Sequence, residues 1–259
     1  MDWEKEFGKL DEKPLDRFAD GISNTAIFRR IAFIGDSLSS GEFETLNADG
    51  SRGYHDLYEY SWGQYIARKN GLTAYNFSRG GMTAKWYLES YAEEQDFWNP
   101  EKACQAYVIA LGVNDVYNQK WEIGEKADIE KTEFEGARPF ISYYAEIVRR
   151  YKEISPDAKF FFVTVPGEYF RKVETTEKIV KAMYDLAEHF ENSYVIDLFK
   201  YAPEFDEEFR EKHFLLGHMT PAGYLYFAQL VDSYIDYIIR TRPEDFKTVG
   251  FIGTDIKYK

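Results

Sequence analysis

The feature that most constrains this chain is a set of five short apolar runs, Ile31–Ile34, Thr73–Phe77, Ala106–Leu111, Phe160–Val165 and Tyr194–Leu198. Several are apolar without a break, as in YVIAL at 107–111 and FFVTV at 161–165. A strand that is apolar on both sides must be covered on both faces, which is the condition of a parallel sheet between helices. The gaps carry the helices. Phe140–Ile154 places Ile141, Tyr144, Ala145, Ile147, Val148 and Tyr151 at three- and four-residue spacing, and Val173–Phe190 does the same with Val173, Ile179, Val180, Met183, Leu186, Ala187 and Phe190. A last helix opens with Thr220 as N-cap and Pro221 in its first position and runs to about Ile239. Its inward face is Tyr224, Phe227, Ala228, Val231, Tyr234, Ile235 and Ile238. The alternation predicts one doubly wound α/β domain.

Three stretches break the pattern. Residues 1–28 read as an extended lead-in, a strand or arm packed on the domain, and residues 241–259 as a tail. Residues 38–60 and 116–137 read as long loops, each following the C-terminal end of a strand, where ligands bind in this architecture.

Composition narrows the function classes. With 32 Lys and Arg against 45 Asp and Glu, the net charge of −13 opposes binding to nucleic acid or an anionic membrane. No apolar run reaches the ~18–20 residues of a membrane span, and the start, MDWEKEFGKL, is too charged for a signal peptide. A lone cysteine, Cys104, forms no intramolecular disulfide and no cysteine metal cluster. The expectation is a soluble cytoplasmic domain. Its 21 Tyr and 21 Phe furnish a large core, or in part line a groove for apolar or sugar ligands.

Three strand ends carry chemistry. The first run leads into Gly35-Asp36-Ser37-Leu38, the second into Ser78-Arg79-Gly80-Gly81, and the third into Gly112-Val113-Asn114-Asp115. Ser37 stands just beyond its strand, where a hydroxyl faces a cleft. A serine nucleophile needs donors aimed at the oxyanion, and the N–H of Ser37, a glycine N–H and the Asn114 amide supply three. Each piece alone reads equally as a helix cap or hinge, but independent caps have no reason to fall at three successive strand ends in this register. A base is needed as well. His218, in Gly217-His218-Met219-Thr220-Pro221, lies on a loop at a helix start. His189 lies off its helix's apolar stripe, His55 belongs to the 38–60 loop and His213 lacks the helix-start context. The Gly-x-Ser-x-Gly elbow is absent, since position 39 is Ser.

These four blocks resemble the GDSL, or SGNH, family of serine esterases and lipases over roughly residues 29–240. The resemblance implies a flavodoxin-like three-layer α/β/α sandwich with a five-stranded parallel sheet. It implies Ser37 as nucleophile, His218 as general base, and Ser37, Gly81 and Asn114 as oxyanion donors, with Gly80 the fallback glycine. The family usually places an Asp three residues before the His, where this chain has Leu215. In a serine-protease triad, loss of that carboxylate's charge lowers turnover by about 10⁴, on the order of 5 kcal/mol of barrier. The expected substitute acceptor for Nδ1–H is the Leu215 carbonyl, then Asp206 or Glu211; Asp197 reads as a cap.

The expected reaction is acyl transfer to water through an acyl-enzyme, with no metal or organic cofactor. Short acyl chains, acetyl first, on a small-molecule or carbohydrate ester are the expected substrates. Asp36, Gly80, Tyr54, His55, Trp62 and Asp115 are the candidate substrate contacts; Tyr54, Tyr58, Tyr60 and Trp62 either stack on a sugar or form the apolar face of a helix. Alternatives are a thioesterase or lysophospholipase of the same fold, or an impaired domain binding acylated glycans or a protein partner. The aromatic last helix and the tail Phe246–Lys259 offer a contact for a homodimer.

Overall fold

The computed structural model describes residues 9, 11–168 and 171–256. Its centre is a five-stranded parallel sheet made by the five apolar runs: β1 (Arg30–Gly35), β4 (Thr73–Ser78), β5 (Ala106–Ala110), β6 (Lys159–Val163) and β7 (Ser193–Ile196), in the spatial order β4-β1-β5-β6-β7. Every pairing is parallel, with Ile34 of β1 opposite Phe77 of β4 and Ile109 of β5. Side chains alternate between two cores. Ile31 and Phe33, Val108, and Phe161 pack on one face, while Ala32 and Ile34, Ile109, and Phe160 and Phe162 pack on the other. Both faces are buried, which is why these strands read as continuous apolar runs.

One face is covered by α1 (Trp62–Asn70) and α6 (Pro221–Thr241). The other is covered by α2 (residues 84–94), α3 (Phe140–Ile154) and α4 (Val173–His189). The helices α3 and α6 match their sequence pattern closely, and α4 does so from Ile179 on, while Val173 at its exposed first position lies off the core. The Thr220 hydroxyl caps α6 by accepting from Gly223 N–H at 3.2 Å. The helix α2 escaped the periodicity because a π-helical turn, Tyr87–Tyr91, interrupts it and slips the apolar stripe out of phase. A short helix, α5 (Glu207–His213), precedes a two-residue hairpin of β8 (Phe214–Leu215) and β9 (His218–Met219).

One expectation needs correction. The stretch 38–60 is not an irregular loop: it forms an antiparallel hairpin, β2 (Glu42–Leu46) and β3 (Arg52–Asp56), closed by an Asn47–Ser51 backbone bond at 2.8 Å. Of the lead-in, read as a strand or an arm packed on the domain, the described part holds no strand, only turns and a 3-10 turn, Asn24–Ile27, while 1–8 and 10 lie outside the described residues. Side-chain bonds pin it to α6, with Ser23 Oγ on Asp232 at 2.7 Å and Asn24 on Asp236 at 2.8 Å. Phe246 of the tail packs among Phe28, Phe161 and Tyr194, so that ring is spent on the chain's own core. No helix among the described residues is long and apolar enough to cross a membrane.

Candidate active site

The C-terminal ends of β4, β1 and β5 lie side by side and open into a cleft of about 880 Å³. Ser37, Gly81, Asn114, His218, Asp36 and Tyr54 all line it. The sequence therefore brings its nucleophile, base and donor candidates to one place.

Each is held by local structure. Asp36 ends β1 as the N-cap of the turn Ser37–Ser40, accepting from Leu38 N–H at 3.1 Å. That leaves Ser37 first in a short helical turn, partly exposed, its hydroxyl without a hydrogen-bond partner among the described residues. Gly81 has φ of +72°, a left-handed conformation that a side chain would strain, and open space lies over its Cα. The Asn114 amide donates to the Met82 carbonyl at 3.1 Å, and its Oδ1 accepts from Asn118 at 2.7 Å. The second and third motif loops are thereby tied together.

His218 is where structure and sequence part. The Leu215 carbonyl does not receive its Nδ1, nor does Asp206, which caps α5 on Phe209 N–H, nor Glu211, exposed on α5. Nδ1 bonds Glu44 Oε1 at 2.5 Å, and Gly217 N–H donates to the same oxygen at 3.1 Å. The other oxygen of Glu44 pairs with Arg52 at 3.0 Å. Nε2 stands 3.0 Å from Glu42 Oε1. Burial works to lower the His218 pKa, but the two carboxylates outweigh it and hold the ring above its ordinary value. Leu215 is the cross-strand partner of His218, so position 215 does lie beside the ring, occupied here by an exposed leucine.

Glu42 and Glu44 were not singled out in the sequence. The available signal was Glu42-Phe43-Glu44-Thr45, alternating into Asn47-Ala48-Asp49-Gly50, a turn sequence between two strands.

The remaining candidates divide. Tyr54, opposite Glu44 on the hairpin, lies on the ring side, 6.2 Å from the His218 ring and 57% exposed. His55 points the other way, to Thr45 at 3.1 Å, because adjacent strand residues face opposite sides. Trp62 is 1% exposed, packed on Phe33 and Phe227, and offers no free face to a sugar. Tyr60 packs on Phe43, and Tyr58 is half-buried. Gly80 lies under the Glu42 carboxylate. Asp115 turns inward, capping α2 through Ala84 N–H at 2.9 Å. Burial raises Asp36 to about 6 and Asp115 to about 7. Asp197 caps the turn after β7, as expected.

Beside Ser37, a second cavity of about 50 Å³ is walled by Leu38, Val163, Ile179, Phe205, Met219 and Phe227. It shares Asp36, Leu38, Val113 and Arg171 with the larger cleft.

Comparison with known proteins adds three findings. The model of the GDSL-like lipase/acylhydrolase family matches residues 33–225. Among solved structures, a family two carbohydrate esterase from Clostridium thermocellum, in complex with cellohexaose, superposes with a TM-score of 0.56 at 16% identity, covering 88% of this chain and 67% of that one. A Corynascus thermopiles carbohydrate esterase family 2 enzyme with a carbohydrate binding domain gives 0.56 at 13% identity over 85% and 68%. The lipase/acylhydrolase from Enterococcus faecalis gives 0.50 at 18% identity over 83% and 96%. At such identities these structures share the fold. No curated protein sequence matches the chain.

Proposed function

The chain belongs to the GDSL-like lipase/acylhydrolase family of ester-hydrolysing enzymes, and from that premise we propose a serine esterase that removes short acyl groups, acetyl foremost, from carbohydrate-linked or other soluble esters. The observation that carries it is Glu44 on His218 Nδ1, at 2.5 Å, in the cleft that also holds Ser37. A neutral imidazole with Nδ1–H held by a carboxylate presents its Nε2 lone pair to a serine hydroxyl. His218 takes the proton as Ser37 Oγ attacks the ester carbonyl. The N–H groups of Ser37 and Gly81 and the Asn114 amide receive the oxyanion, the alcohol leaves with the proton, and water repeats the sequence on the acyl-enzyme.

The two cavities support the substrate class. The mostly apolar pocket of about 50 Å³ is a few times the ~10–15 Å³ that one water requires, a size that favours a short acyl chain over a fatty one. The open cleft, with Tyr54, Tyr117, Asn118 and Thr175 on its walls, suits a polar and bulky alcohol such as a sugar. The reading of an impaired, binding-only domain rested on Leu215, and Glu44 removes its motive.

Hydrolysis of p-nitrophenyl acetate, butyrate and octanoate by the wild type and Ser37→Ala tests this. Turnover should fall with chain length and drop by on the order of 10⁴-fold or more in the variant. Equal rates in both proteins would refute a serine esterase, and a preference for octanoate would refute the short-acyl pocket.

A further inference from the structure

His218 is gripped by two carboxylates, while the reaction above uses one. Glu42 and Glu44 lie two residues apart on β2 and so face the same side of the hairpin. Glu44 has Arg52 as a second partner; Glu42, itself buried, is paired among the described residues with the imidazole alone. Its other oxygen lies over Gly80, where a Cβ would collide with it. The glycine makes the room that lets this carboxylate reach Nε2, the nitrogen that Ser37 needs.

Resting on the reading of Ser37 and His218 as nucleophile and base, we propose that Glu42 is a positioning residue that competes with Ser37 for Nε2, holding the ring as an imidazolium in the resting enzyme and yielding it only when that proton leaves. On release, the Nε2–H bond breaks, the proton passes to water and the electron pair stays on Nε2. Glu42, left without a donor, swings away from Nε2 into the cleft that it lines. The neutral ring, still anchored through Nδ1–H on Glu44, accepts from Ser37 Oγ.

The other charged and titratable groups around the ring are Asp36 at the end of β1, Arg52, Tyr54 and Asp56 on β3, and Lys120, Arg171 and Lys172 in the lining of the same cleft. Asp56 lies opposite Glu42 in register and accepts from the Ser40 hydroxyl. Tyr224 of α6 bonds the Glu42 backbone carbonyl at 2.6 Å and fixes the strand rather than the carboxylate. Glu42 is therefore the contact whose removal frees Nε2 without disturbing the Nδ1 anchor.

The test combines an NMR titration of the His218 ring with the pH dependence of kcat/KM on p-nitrophenyl acetate, for wild type, Glu42→Gln, Glu42→Asp and Ser37→Ala. The glutamine removes the charge, and the aspartate withdraws the oxygen by one methylene should the glutamine fail to fold. Expected are a His218 midpoint lower by roughly one pH unit in Glu42→Gln, a smaller fall in Glu42→Asp, and a matching displacement of the acid limb that raises kcat/KM at about pH 6 up to tenfold. An unmoved midpoint, or a midpoint that falls without moving the acid limb, overturns the proposal. Full turnover in Ser37→Ala would instead overturn the esterase reading on which it rests. Loss of turnover there with an unmoved limb in the Glu42 variants leaves that reading intact and sinks Glu42 alone.

Discussion

In the proposed mechanism Glu44, 2.5 Å from His218 Nδ1, is the side chain that fixes the tautomer of the ring and faces its positive charge. Glu44→Gln keeps the shape but removes the charge, and its amide can present a donor to Nδ1. Its kcat should fall on the order of 10⁴-fold with little change in KM, measured on p-nitrophenyl acetate. Arg52→Gln breaks only a half-exposed ion pair and should cost a few-fold at most. Because Leu215 sits opposite His218 in register, Leu215→Asp in a Glu44→Ala background should restore part of the lost rate; no recovery would mean that position 215 does not face Nδ1. The motif residues Ser37, Gly81, Asn114 and His218 were legible because each lies in a short local pattern at a strand end or helix start. Glu44 was not, because its partner is 174 residues away and nothing in Glu-Phe-Glu marks it as more than a solvated edge.

At the scale of elements, buried strands and long helices were readable and the hairpin was not. Burial on both faces imposes an apolar run, and a regular helix imposes a 3.6-residue stripe, so β1, β5, β6, α3, α4 and α6 advertise themselves. The β2–β3 hairpin is mostly polar, and only its Asp49-Gly50 turn hints at a reversal. The cap of α6 belongs to this scale too. Thr220 accepts from Gly223 N–H, and its N–H and hydroxyl both donate to the His213 carbonyl, at 2.8 and 3.2 Å. These bonds brace the short segment that carries His218. Thr220→Ala should cost about 1 kcal/mol, roughly 2–4 °C in Tm by calorimetry. It should also lower kcat several-fold at 25 °C, where the fold persists. A Tm loss with unchanged kcat would show that the cap supports the helix alone.

For the molecule as a whole, stability and activity should run in opposite directions across neutral pH. Asp36 and Asp115 have folded pKa values of about 6 and 7 against an ordinary 3.8, raised by burial. Their folded forms hold protons more tightly than the unfolded chain does. That contribution is full below about pH 4 and is lost as pH climbs through 6 and 7. His218, held above 6.5 by its two carboxylates, adds stability that is full below 6.5 and is lost as pH rises through its folded value. Tm should therefore fall by roughly 5 °C between about pH 5.5 and 8.5. Over the same range kcat/KM should rise, since the base works only when neutral. Calorimetry and a pH-rate profile on one preparation check both; a Tm that climbs with pH would mean that the buried acids are already ionised.

The sequence by itself determined the layered sheet, the order of its helices and the three strand ends that open on one cleft. Those properties follow from burial and chain geometry within a few residues, and local periodicity records them. Which carboxylates lie against His218 was decided only when the β2–β3 hairpin folded back onto the β8–β9 turn. A contact closed across most of the chain leaves no periodic trace in either partner, so Glu42 and Glu44 acquire their meaning only beside His218.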